Sequence, residues 1–129
     1  MEESARQVLI VTGWLAFSST LVIWAAFAIV CFIQSRPNGR PNYFAGIRFP
    51  STMRNQQTWL AAHRVGLRHA VLSGVAVVPV TVILLFFLYS APLVIAILEA
   101  ALFAVMLGWI IFAGAAGVKA AKQEESELR

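Results

Sequence analysis

Charge is what this chain has least of. Only 12% of its 129 residues are Asp, Glu, Lys or Arg, while 60% are apolar; a soluble domain carries roughly 25% charged residues. A water-soluble fold of this length cannot hide so much apolar surface, whereas a bilayer can. Cysteine is nearly absent as well. Cys31 stands alone, which excludes an internal disulfide framework. It closes the run Ala28-Ile29-Val30-Cys31, where Val30 is larger than the residue a lipoprotein cleavage site places before its Cys. The thiol therefore reads as a small membrane-buried hydrophobe. The start, Met1-Glu2-Glu3-Ser4-Ala5-Arg6, lacks the positive charge of a signal peptide. The apolar run behind it is also longer than a signal core of roughly 7–15 residues, so no cleaved signal is expected.

Catalytic patterns are missing too. There is no Ser-His-acid set, no Gly-rich phosphate loop and no cluster of residues at metal-ligand spacing. His63 and His69 are six residues apart, which puts them on different faces of a helix and prevents joint metal ligation. These absences point away from an enzyme and from any cofactor or metal. The net charge is +4, with eight Arg to two Lys. Because those charges sit in short segments between apolar runs, they read as contacts to anionic lipid headgroups rather than to nucleic acid.

What is present is length of apolar sequence. Three stretches lack charge or nearly so: 8–33, 70–90 and 92–118, the last interrupted by Glu99. Spanning about 30 Å of hydrocarbon takes about 20 helical residues, and backbone groups in lipid must pair within the segment. The sequence thus predicts an all-α membrane protein forming one domain with three transmembrane helices. The first covers about 8–33. The second covers about 58–90, with an amphipathic start, and the third about 92–118. A loop over 34–57 and a polar tail over 119–129 complete the chain. Pro79 removes one backbone donor inside the second helix, and Pro92 suits the first turn of the third.

Arginine and lysine set an orientation. The N-terminal tail and the turn Tyr89-Ser90-Ala91 together carry one basic residue, Arg6. The first loop, the foot of helix two and the C-terminal tail carry nine. The positive-inside rule then places the N-terminus outside and the basic loop and C-terminus in the cytoplasm of a multi-pass plasma-membrane protein.

The loop reads as a structured element. Gly46 permits a backbone conformation closed to other residues, Pro50 biases Phe49 towards extended backbone, and Asn55 is a candidate cap for a helix carrying Trp59, His63 and Arg64. Arg64 and Arg68 share a helix face. His63 reads first as an interfacial side chain bonding backbone or lipid phosphate, and second as a proton-transfer group. The run Gly46-Ile47-Arg48 is either a turn with a lipid-facing Arg or part of a ligand site. The cluster Arg48, Arg54, Arg64 and Arg68 suits an anionic headgroup or the acidic face of a partner.

At these residues a resemblance emerges. The run Asn42-x-x-x-Gly46-Ile47-Arg48, then Pro50, a Ser/Thr pair and Trp59-x-x-x-His63-Arg64, resembles the signature of the SdpI family of bacterial membrane proteins. Such proteins pair a Gly-[Ile/Val]-Arg-Thr turn with a downstream Trp…His helix between transmembrane segments. With the arrangement of spans included, the resemblance covers roughly residues 20 to 115. Phe49 stands where the family usually has Thr, and Asn55-Gln56-Gln57 replaces a usually acidic stretch. The resemblance implies a non-enzymatic protein of the immunity type, which protects the membrane from a toxic peptide or senses it. It implies binding through Gly46, Ile47, Arg48, Trp59, His63 and Arg64.

Two further features sit on helix three. Glu99 lies seven positions after Pro92, about 10 Å in at 1.5 Å per residue. An ionisable group there is a functional candidate, or it is neutral, or it reaches a hydroxyl on helix one. Ala96, Ala100, Ala104 and Gly108 recur at spacing four, and Ala113 and Gly117 repeat the step. Small residues so spaced let helices approach closely, within the chain or against another membrane protein or a second copy. That leaves a second functional reading, a small accessory subunit of a larger transporter or envelope complex. A proton-coupled carrier centred on Glu99 is a third.

Overall fold

The computed structural model describes residues 2–128; Met1 and Arg129, the latter counted above among the basic residues of the tail, lie outside them. Three helices account for the architecture: α1 Glu3–Gln34, α2 Gln56–Leu85 and α3 Pro92–Glu127. No strand occurs among the described residues. Each helix is long and apolar enough to cross a membrane. Even the shortest, at 30 residues, is about 45 Å long at 1.5 Å per residue, against about 30 Å of hydrocarbon. Within the most apolar stretch of each helix only 11%, 22% and 22% of residues are buried by the protein itself. The rest is only partly covered by protein or exposed, which is the arrangement lipid stabilises and water does not.

The helix ends have local causes. α1 begins at Glu3, whose carboxylate sits in the first turn, where the helix dipole favours negative charge. α2 begins behind Asn55, whose side-chain oxygen accepts the Thr58 N–H at 2.9 Å, the expected cap. It continues through Pro79 and closes at Leu85, before the apolar run ends at Ser90. There the N–H groups of Phe86, Phe87 and Leu88 donate to carbonyls three residues back, tightening the chain into the turn that precedes α3. α3 starts on Pro92 and runs on through the polar tail to Glu127.

The chain divides into two compact units to which every helix contributes. The first comprises residues 1–24 and 73–108, the second residues 25–72 and 109–129. In the first, buried Leu88 fits against Gly13, where a Cβ would come within 2.5 Å of its methyl, and the Trp24 ring covers Gly74. Arg6 donates to the Tyr89 carbonyl at 2.9 Å and the Trp14 indole to the Tyr89 hydroxyl at 3.4 Å. Val77, Ile95, Ala96 and Met106 are buried here, together with Thr20, Ser73, Thr81 and Glu99. In the second, Cys31, Ile47, Trp59, Ala62, Ala113 and Ala121 are buried around Thr52, Thr58 and His63.

The small-residue stripe is divided in its burial. Ala96 is buried, but Ala100, Ala104 and Gly108 are exposed, and a Cβ on Gly108 would meet nothing within 4 Å. The later step is the one that packs. Gly117 is buried, and a Cβ there would lie 3.0 Å from the Ala62 carbonyl oxygen.

Candidate functional site

The segment between α1 and α2 has no regular secondary structure from residue 39 to 49, yet its polar groups are closely accounted for. Asn42 begins the arrangement: its side-chain oxygen accepts the N–H groups of Phe44 and Ala45 at 3.1 and 3.0 Å, an Asx-turn. The Arg48 guanidinium closes the turn by donating to the Tyr43 carbonyl. Between them Gly46 takes φ 119°, a backbone region costly to any residue with a Cβ. A Cβ there would also press on His63 Nε2 and lie 2.9 Å from the Trp59 ring.

That turn delivers Ile47 into the second unit. Its Cδ1 lies 3.1 Å from where a Cβ on Gly66 of α2 would sit and 3.0 Å from one on Gly117 of α3. Two glycines thus make the notch that receives the side chain, with the Cys31 thiol of α1 also against Gly66. The backbone of Ile47 is held at both ends. Its N–H donates to His63 Nε2 at 2.9 Å, and its carbonyl accepts the Thr52 hydroxyl at 2.6 Å.

His63 is fixed by this pairing. Because Nε2 accepts from Ile47, the ring proton resides on Nδ1, which donates to the Trp59 carbonyl 2.8 Å away; both nitrogens of the neutral ring are then satisfied. The ring also stacks on Trp59, with centroids 4.1 Å apart. A second proton on the imidazole would face the Ile47 N–H. The histidine bonds backbone, one half of its expected interfacial role, and here it acts as a clasp. Thr52 serves similarly: its oxygen accepts the Phe49 N–H at 2.9 Å while its proton goes to Ile47. Thr58 in turn donates within the segment 52–55.

The structure therefore brings half-buried Gly46 together with buried Ile47, Trp59 and His63 in one cluster. Arg48 supports it from an exposed position, and Arg64 and Arg68 are exposed. His69 belongs to a different setting, receiving the Trp109 indole N–H at 3.4 Å and meeting the edge of Phe112. Glu99 belongs to the first unit. Thr52 and Gly66 are contributors that the sequence did not mark out, apart from the Ser/Thr pair after Pro50 as a signal for Thr52; Gly117 stood in the sequence as a small residue at helix-packing spacing.

Around the cluster the loop presents an outer surface. Tyr43 and Phe44 are 81% and 94% exposed, with Arg40 and Arg48 beside them in sequence. A cleft of about 360 Å³ is lined by Phe49, Ser51, Arg54, Lys122 and Glu125 among others, and Arg54 pairs with Glu125 across it. The arrangement offers aromatic faces and guanidinium groups on a braced backbone, which suits binding to an amphipathic or anionic surface.

A family model described as the SdpI/YfhL protein family matches residues 39–116, more than half of the chain. The match opens at Gly39, takes in the loop from that residue on together with its clasp, and ends one residue before Gly117. No curated protein and no solved structure matches.

Proposed function

We propose, starting from the fact that this chain belongs to the SdpI/YfhL family, that this three-helix membrane protein is a non-enzymatic recognition protein. It protects the membrane from a toxic peptide or senses it. The observation that carries the reading is the clasp. Gly46, Ile47, Trp59 and His63 are spent on bracing the loop, and the brace leaves Tyr43, Phe44 and Arg48 outward on a backbone that does not have to be ordered at the moment of binding. Preorganisation of that kind lowers the entropic cost of association. An amphipathic peptide at the membrane surface is the ligand such aromatic and cationic groups suit. The nine-to-one placement of basic residues supports an orientation with the loop and C-terminus in the cytoplasm and the N-terminus outside the plasma membrane.

The exposed residues Ala100, Ala104 and Gly108 favour a second reading, the accessory subunit, because an uncovered small-residue stripe is a surface for another helix. One experiment separates the two. Extraction in mild detergent at native expression, followed by mass spectrometry, is expected to give the protein alone or self-associated. Deletion is expected to sensitise cells to peptides secreted into their own culture medium. A single stoichiometric large partner with unchanged sensitivity would replace the first reading by the second.

A further inference from the structure

Glu99 is fully buried in the first unit, and neither carboxyl oxygen has a hydrogen-bond partner. Thr81 is fully buried in the same unit, and its hydroxyl likewise has none. The two lie on helices joined by the short connection 86–91. Thr81 is four residues before the end of α2 and Glu99 seven after the start of α3. At 1.5 Å per residue these are about 6 and 10 Å from that connection, within one helical turn of each other in height. Thr20, also buried in this unit, gives its proton to the Ala16 carbonyl at 2.8 Å, which leaves its oxygen free to accept.

Among the described residues of the first unit, no charge answers Glu99. The other titratable side chains of the first unit among the described residues are Glu2, Glu3, Arg6 and Tyr89. Glu2, Glu3 and Tyr89 are exposed, and Arg6 is engaged with the Tyr89 carbonyl and Glu3. A bare carboxylate buried in an apolar interior is costly. A buried carboxylate with no partner, in a unit where the Thr81 hydroxyl is also unpartnered and the Thr20 oxygen can accept, supplies the oxygen ligands that a small cation takes.

We propose that Glu99 and Thr81 form a binding site for a small cation, a proton or an alkali-metal ion, inside the membrane-embedded part of this protein. The site is separate from recognition by the loop, and its loss leaves that reading standing.

The test uses the full chain in lipid vesicles and N,N′-dicyclohexylcarbodiimide, an apolar reagent that reaches carboxylic acids from the bilayer. The acid proton moves to a carbodiimide nitrogen, and the carboxyl oxygen bonds to the central carbon. Rearrangement then leaves a stable N-acylurea carrying the whole reagent mass. In choline chloride a single adduct is expected at Glu99 by mass spectrometry. It should fall about tenfold per pH unit on the alkaline side of its midpoint. If NaCl or KCl suppresses the adduct saturably at fixed pH, the bound ion is the alkali metal; if neither does, it is the proton. Glu99→Gln is expected to melt like the parent and lose the adduct. Thr81→Val is expected to shift the labelling midpoint or the suppressing salt concentration, which a merely structural threonine would not do. No adduct at any pH in the folded parent, or an adduct whose level ignores pH, overturns the site. Thr81→Val with unchanged labelling removes Thr81 from it.

Discussion

The two units differ in which buried polar groups they leave unpaired. In the second unit, His63, Thr52 and Thr58 are fully buried and bonded, each holding a stretch of backbone in place; the indole N–H of Trp59 is the exception. In the first, the buried Thr20 hydroxyl bonds its own helix, but the side chains of Glu99 and Thr81 are equally buried and have no hydrogen-bond partner. A buried polar group that is paired specifies structure, and one left unpaired carries a penalty that something else must offset. The contrast separates residues that build the fold from residues that the proposed cation site would use. It assigns the family's motif histidine mainly to the first class and the intramembrane glutamate to the second.

That division is broken most severely at Gly46. Gly46→Ala introduces an L side chain at φ 119° and presses it onto His63 and Trp59. Strain and overpacking together are expected to cost about 3 kcal/mol or more. The check is thermal unfolding in detergent alongside proteolysis of the loop, and an unchanged melt with an intact loop would show that the turn is not clamped. Ile47→Ala empties the notch between Gly66 and Gly117 and is expected to cost about 2–4 kcal/mol by the same melt. Filling the notch from the other side with Gly66→Ala or Gly117→Ala is expected to cost about 1–3 kcal/mol.

Replacing His63 by Leu strands the Ile47 N–H, at about 1–3 kcal/mol. His63→Gln, which keeps an acceptor, is expected to recover part of that loss. Equal loss in both variants would mean that packing on Trp59, rather than the hydrogen bond, holds the loop. Asn55→Ala removes the cap of α2 and is expected to cost about 1 kcal/mol, seen as fraying of the first turn by hydrogen exchange. The smallest effect belongs to Gly108→Ala, where the added methyl meets nothing. The melt is expected to move by no more than about 1 kcal/mol, and a larger loss would reveal a partner on that face.

Much of this was legible in the sequence, for reasons that differ by residue. The three helices follow from uncharged runs longer than a bilayer is thick, and α3 begins on Pro92 because a missing donor there costs nothing. Asn55 was readable as a cap because its chemistry is local, and Gly46 because a glycine in a braced turn has few other uses. Glu99 stood out against its apolar surroundings, but the sequence left open whether a hydroxyl would meet it, and none does. Gly66 and Gly117 were not readable as the notch for Ile47. They are 51 residues apart, and nothing local marks either as facing the other. Thr52 was likewise hidden, because a threonine two positions beyond Pro50 reads as an ordinary turn residue until the Ile47 carbonyl is brought to it. The small-residue stripe was legible as a packing surface but not as to what it packs against. Spacing alone cannot distinguish residues that pack within the chain, such as Gly117, from residues such as Gly108 that face outward.

The clasp is tested most directly by the exchange rate of a single amide. In lipid nanodiscs, the Ile47 N–H is expected to exchange with deuterium as slowly as the helical amides around Ala62 in α2, and to become fast in His63→Leu. An Ile47 amide that exchanges in the parent as quickly as those of freely exposed loop residues would contradict the clasp, and with it the braced surface on which recognition is proposed to rest.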